Sequence, residues 1–299
     1  MMNSTFNLFR KSLILVLLMA SATLYAQESN ESQTAPPPKE FVKATFENGV
    51  AINNQTIENP GEKSLDFMIQ HRFGLIKNET DLFGLFAPAN IRMGLTYGIT
   101  KRISVGIGAT KNKTLYDLQG KYMILKQTKQ GGIPVSVSYF GDVARSAQDN
   151  DNFLNQDGEY KPANKLSYFH ELMVARKINS TVSLQLAGTY SHFNIIDSVY
   201  GQHDFYGVSF VGRYKFSPQS SAIIEFDYLL NVSAIDEASR PKPNLSIGYE
   251  VSTGSHQFQI FVCTADAIIN QEYLVFNQND FTKKEVLLGF NITRQWSFK

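Results

Sequence analysis

From Leu65 onward the chain is written in segments of about ten residues in which apolar side chains alternate one for one with polar or small ones. A period of two places successive side chains on opposite faces of a strand, so each segment is a strand with one apolar and one polar face. Leu65, Phe67, Ile69 and Phe73 share a face against Gln70 and Arg72. Ile91, Met93, Leu95, Tyr97 and Ile99 do the same against Arg92, Gly94 and Thr96. The pattern returns at 103–107, 182–190, 206–216, 224–230, 245–249 and 258–262, and more weakly at 116–125, 134–140 and 166–177. No helix-period segment of similar length competes with it, so the chain is all-β.

With a last strand beginning near Glu285, the count is about twelve, and an even count returns the chain to its starting side. Connections at one end are short: 100–102, 127–132, 178–180, 217–221 and 252–255. Those at the other end include 74–89, 141–164, 192–204, 232–243 and 264–284, and only 111–114 is tight. Long loops at one end and tight turns at the other mark an outer-membrane barrel, and a soluble sandwich has no reason to keep that asymmetry. The expected fold is therefore an antiparallel transmembrane β-barrel of about twelve strands. A mean hydropathy of -0.20 agrees, because alternation hides the apolar band in the average. The final strand puts Val286, Leu288, Phe290, Ile292, Trp296 and Phe298 on one face, interrupted by Arg294, and its aromatic end resembles the C-terminal signal of outer-membrane proteins.

The N-terminus carries Arg10 and Lys11, an apolar run from Leu13 to Met19, and then Ala22 and Ala26, the arrangement of a secretory signal peptide. The expected organisation is a cleaved signal over 1–26, a periplasmic tether and short segment over 27–63, and the barrel over 64–299. Pro36, Pro37 and Pro38 read as a flexible tether, whereas 41–57 is expected to pack at the periplasmic mouth or add a short strand. Cys263 is the only cysteine, so no intramolecular disulfide can form. With 28 basic against 27 acidic residues and no charge run, nucleic acid is excluded as a partner. Outer-membrane lipid and a small solute are the expected partners.

Strand parity turns Arg72, Arg92, Lys121, Arg213, Glu225, Asp227 and Glu250 inward as lumen-lining candidates. Mixed signs fit either a selective pore or an ion-pair lattice that fills the lumen. A turn centred on Gln219 would set Arg213 opposite Glu225 as an ion pair, while Tyr206, Val208, Phe210, Ile224, Phe226 and Tyr228 would face lipid.

No catalytic, cofactor or metal site emerges. His71 falls among outward apolar positions near a strand end. Ser191–His192 and His203–Asp204 sit in one expected outer loop, whereas a catalytic set converges from separate strands. His170 and Glu171 take opposite faces. Asp149, Asp151, Asp157 and Glu159 read as a solvated loop, and Gly106 and Gly108 lie inside a strand where a nucleotide motif has no context.

The run Asn53-Asn54-Gln55-Thr56-Ile57-Glu58, followed by Gln70-His71-Arg72-Phe73-Gly74, Asp81-Leu82-Phe83-Gly84, Tyr97-Gly98-Ile99-Thr100 and Ser104-Val105-Gly106-Ile107-Gly108, resembles an uncharacterised outer-membrane β-barrel family of Bacteroidota, a domain of unknown function. The resemblance is strongest over 46–137 and implies a barrel without an assigned chemistry. A non-enzymatic barrel that passes a small solute, passively or through a gate, is the leading expectation. A structural or partner-binding barrel with a filled lumen is the alternative, and an outer-membrane hydrolase the remaining one.

Overall fold

A computed structural model describes residues 40–77 and 82–298. The expected signal peptide over 1–26 and the expected tether over 27–39 lie outside the described residues. Twelve antiparallel strands follow in chain order: β1 (Ser64–Leu75), β2 (Asn90–Gly98), β3 (Ile103–Thr110), β4 (Leu115–Leu125), β5 (Ser136–Ser146), β6 (Leu166–Lys177), β7 (Val182–Phe193), β8 (Asp204–Lys215), β9 (Ser220–Leu229), β10 (Asn244–Thr253), β11 (His256–Cys263) and β12 (Leu287–Ser297). Each pairs with its neighbours in sequence, and β1 pairs with β12 to close the ring. That seam runs from Ser64 opposite Ser297 to Arg72 opposite Gly289, with a bulge before Leu75. A closed ring has no edge strand, the requirement for a sheet surrounded by hydrocarbon.

Burial alternates along every strand with the side-chain period. In β7 the inward Ser183, Gln185 and Ser191 are buried, while the outward Leu184 and Leu186 stay exposed. The outward face is a continuous apolar coat that includes Met93, Ile107, Leu118, Leu172, Leu186, Tyr206 and Ile260. Large exposed apolar surface on a soluble protein is a liability, but against lipid tails it is the low-energy face.

Two boundaries move relative to the sequence reading. Strand β5 continues through Ser146, so the loop begins after it and not at Gly141. The β8–β9 hairpin centres on Pro218, because Phe216 and Ser217 N–H groups both donate to the Ser220 carbonyl and the Ser217 hydroxyl accepts from Ser220 N–H at 3.0 Å. The register then sets Val211 opposite Glu225 and Arg213 opposite Ile223, each partner two residues from the expected one.

Two segments enter the barrel. Residues 46–57 come in from the short-turn end as a hairpin: Val50 bridges Gln55, and Ala51 N–H donates to the Asn54 carbonyl at 2.9 Å across the tip. This segment goes well beyond the mouth where it was expected, with Ile52, Asn54 and Thr56 fully buried. From the long-loop end, the β11–β12 connection folds inward and carries a short helix, α1 (Asn270–Val275), whose six residues are all buried. The connection over 264–284, expected as a long outer loop, is therefore largely interior over 264–277. Inward apolar side chains of β5 to β9, among them Phe140, Phe169, Met173, Phe205, Val211 and Ile223, form one core with Phe46, Ile52, Ile57 and Leu274.

Phe210 lies at the centre of β8 on the outward face, opposite Phe226 of β9 and Leu186 of β7. Replacing it with Arg should cost about 2–4 kcal/mol of folding free energy if it sits at the bilayer midplane. Denaturant titration in lipid bilayers measures this, and an unchanged free energy would displace Phe210 from the lipid face.

Candidate functional site: the occupied lumen

The inward strand faces carry more charge than an apolar core tolerates, and the inserted hairpin receives much of it. Glu225, fully buried in β9, accepts from the backbone N–H of Ile52 at 2.8 Å, of Asn53 at 3.0 Å and of Asn54 at 3.1 Å, and from the Asn53 amide at 3.1 Å. A carboxylate aimed at consecutive N–H groups is a charge-assisted clamp on the tip. Arg72 holds the same tip from β1. Its guanidinium donates to the Ile52 carbonyl at 3.1 Å and to Asn53 Oδ1 at 2.8 Å, with further bonds to Asn291 Oδ1 and the His71 carbonyl. It also lies over the Phe261 ring at 4.4 Å.

Lys121 of β4 grips the two hairpin arms through three carbonyls: Gly49 at 2.7 Å, Thr56 at 2.9 Å and Glu58 at 3.2 Å. Three acceptors match the three donors of one ammonium. Three strands further round the ring, Gln185 of β7 donates to the Gln55 carbonyl at 2.7 Å and accepts from Ile57 N–H at 3.0 Å. Near the short-turn end Glu47 accepts from Arg213 and, at 2.8 Å, from Lys215. Burial raises the Glu47 carboxyl, and the hydrogen bonds and charge of Lys215 and Arg213 outweigh it, leaving it below the usual carboxylate range.

The expected Arg213–Glu225 pair does not form. The two-residue change of register separates the two, Glu225 is taken up by hairpin N–H groups, and Arg213 pairs with Glu47 and with Glu250 of β10 at 3.2 Å. Glu250 is further bound by Gln257 and Gln259. Asp227 accepts from the Asn244 amide at 2.8 Å. Arg92 bridges to Asp117 through two bonds and reaches Gln70 at 3.0 Å. Gly94 and Gly108 lie beside this pair, because a Cβ on either would approach the Arg92 guanidinium to 2.6 and 2.3 Å. All seven residues are buried, and Arg72, Lys121, Arg213 and Glu225 bond to the hairpin.

Above the hairpin tip, Tyr273 of α1 donates its hydroxyl to Asn54 Oδ1 at 2.9 Å, so the two inserts meet inside the barrel. Gln271 fastens α1 to Asp142 of β5 at 2.9 Å, and Lys113 in the β3–β4 turn pairs with Glu272 at 2.5 Å. Beside the hairpin, space for water-sized molecules amounts to about 40 Å³ between Asp66, Thr96, Ser104 and Lys121. That holds a few waters and no solute.

Glu47, Lys113, Glu272 and Tyr273 were not singled out by the sequence reading, while Asn53 entered it only within the family-like run and Gln185 only as an inward strand position. One signal was available: Phe140, Phe169, Met173, Phe205 and Ile223 have inward parity, and large apolar groups on a supposedly aqueous face imply something packed against them.

The histidines lie elsewhere. His71 stacks on Phe290 at 4.8 Å on the outward face. His192 belongs to β7 and pairs with Asp204 of β8 at 2.8 Å, also outward, while Ser191 is buried on the inner face. The Ser191–His192 placement in a single loop does not occur: both lie in β7, on its opposite faces. Among the described residues no three His, Cys, Asp or Glu side chains converge on a metal-binding position.

A family model described as "Membrane bound beta barrel domain (DUF5777)" matches residues 46–296, which covers both the closed ring and the inserted hairpin. The chain belongs to this family. A search of curated proteins finds no match. Among solved structures, the COG4313 outer membrane channel from Pseudomonas putida F1 is similar at 11% identity and TM-score 0.50, over 82% of this chain and 100% of that one. A NanC porin structure aligns at 10% identity and TM-score 0.49 over 79% and 99% of the two chains, and the KdgM porin at 10% and 0.44 over the same shares. At such identity the likeness concerns the fold, a closed membrane β-barrel.

The network can be tested by its couplings. A double-mutant cycle on Glu47→Gln and Arg213→Gln should give about 0.5–3 kcal/mol, the range for residues in one buried network. The cycle on Arg213→Gln and Glu225→Gln should give a much smaller value. A reversal of that order in bilayer unfolding experiments would contradict the hairpin contacts.

Proposed function

We propose that this protein is a gated outer-membrane conduit for a small solute, closed by its own N-terminal hairpin. The observation that carries the reading is that the ring closes through β1 and β12 without the hairpin, which contributes no strand to it. The hairpin can therefore leave without breaking the ladder that the bilayer demands. Its hold supports the same reading, because N–H, carbonyl, ammonium and carboxylate groups that clamp the tip are groups water can serve in its place. With residues 46–57 removed, Arg72, Lys121, Arg213, Glu225 and Glu250 would line a charged, wettable passage.

In this reading the chain enters from the periplasm, the hairpin inserts from that side, and the long loops face outward. Outer-membrane lipid covers the apolar coat. A second reading, a filled barrel that serves a structural or partner-binding role, is favoured by one observation: α1 fills the lumen from the other end and bonds to the hairpin tip.

Single-channel recording separates the two. The full chain should be closed most of the time, a variant lacking 46–57 should open more often, and one lacking both 46–57 and 270–275 should conduct steadily. A double-deletion variant that folds, as judged by gel mobility before and after heating, yet passes no current would remove the conduit reading and leave the filled barrel.

A further inference from the structure

A vestibule opens at the long-loop end, directly above α1, with about 400 Å³ of space for water-sized molecules. That volume lies in the range of small-molecule sites, roughly 300–1,000 Å³. Its lining joins apolar and aromatic walls, chiefly Phe153, Phe193 and Phe276, to two lysines, Lys113 and Lys165. Phe193 and Phe276 meet edge to face at 5.1 Å and make one rigid wall.

The lysines differ in how they are satisfied. Lys165, just before β6, is buried, and its ammonium donates to the Gln148 carbonyl. It lies 5.6 Å from the Phe153 ring centre and 5.5 Å from that of Tyr160, and no acidic side chain pairs with it among the described residues. A buried cation that has aromatic faces and one carbonyl, but no anion, is short of compensation. Lys113 does have an anion, Glu272 of α1 at 2.5 Å, and it stands over the Phe276 ring at 3.6 Å. Its backbone is left-handed, with φ at 55°, a conformation that costs energy for a residue with a Cβ and persists where surroundings impose it. The other acid in the lining, Asp197, is engaged in capping a turn, accepting from Val199 N–H at 3.0 Å.

We propose that this vestibule binds a small organic acid, with the carboxylate on Lys165 and Lys113 and an apolar or ring-shaped body against Phe153, Phe193 and Phe276. The carboxylate supplies the counter-charge that Lys165 lacks. Its approach to Lys113 competes with Glu272, the side chain by which α1 is tied to the β3–β4 turn. Loss of that tie loosens α1, and with it the Tyr273 bond to the hairpin tip. The solute is thus recognised at the floor that must move for it to pass, an extension that rests on the conduit reading, although the binding step can be measured without any current.

The probe is benzoate, with acetate as charge without a ring and benzyl alcohol as ring without charge. Titration of the purified full chain in detergent, followed by saturation-transfer signals on the aromatic protons of benzoate and benzyl alcohol and on the methyl protons of acetate, should show saturable binding of benzoate and much weaker binding of both controls. Lys165→Gln should weaken benzoate by about tenfold or more, the effect of losing one charge-assisted contact, and Lys113→Gln should weaken it as well. Hydrogen exchange over residues 270–275 should rise when benzoate is added. Benzyl alcohol binding as well as benzoate, or no saturable benzoate signal from the wild-type chain, would overturn the site even if the hairpin deletion conducts. Benzoate binding with unchanged exchange in α1 would overturn the link between the vestibule and its floor. Because the wild-type titration is decisive by itself, misfolding of either lysine variant leaves the inference falsifiable.

Discussion

The pairing of β1 with β12 is the contact on which the rest depends. A sheet in hydrocarbon cannot leave a row of N–H and carbonyl groups unpaired, since each would cost several kcal/mol with no water to offset it, on the order of a lost hydrogen bond in an apolar medium. Closure over Ser64–Ser297 to Arg72–Gly289 removes the last edge. Once the ring is closed, alternation sorts every strand residue to lipid or to lumen, and the two populations obey opposite rules. Outward positions can be apolar and exposed, as Leu186 and Ile107 are. Inward positions must be satisfied by something within the ring.

That second requirement explains the inserts. Charged side chains on a concave wall repel or stay unpaired unless water, one another or a further segment meets them. Arg92 and Asp117 satisfy one another. Glu225, Arg72 and Lys121 instead reach backbone groups of the hairpin, which has donors and acceptors to give because it joins no sheet. The apolar patch from β5 to β9 is covered in the same stroke by Phe46, Ile52 and Ile57. A plug held partly by burial and partly by polar clamps is retained without being built into the wall.

The two inserts also differ in kind. The hairpin presents backbone polar groups to many strands. The short helix α1 presents side chains instead: Gln271 to Asp142 and Ser167, Glu272 to Lys113, Tyr273 to Asn54. Burial raises the Glu272 carboxyl, a shift that the charge and hydrogen bond of Lys113 oppose, so the helix floor is sensitive to whatever else claims that lysine.

By itself the sequence determined the strands and their faces, since a period of two is a local property that any closed sheet must respect: twelve strands, the outward run from Tyr206 to Phe210, and the unequal loops could be read from the order of residues alone. It did not determine the β8–β9 pairing to the residue, because hairpin register is set by turn geometry, and a turn centred on Pro218 or on Gln219 keeps the same faces while changing every partner. Nor could it show that 46–57 fills the ring, since those residues form no repeating pattern and their contacts lie far away in sequence, from Arg72 to Asn291. Parity says which wall a charge stands on. What stands opposite across a closed barrel is decided only when the ring shuts and brings distant strands around one interior.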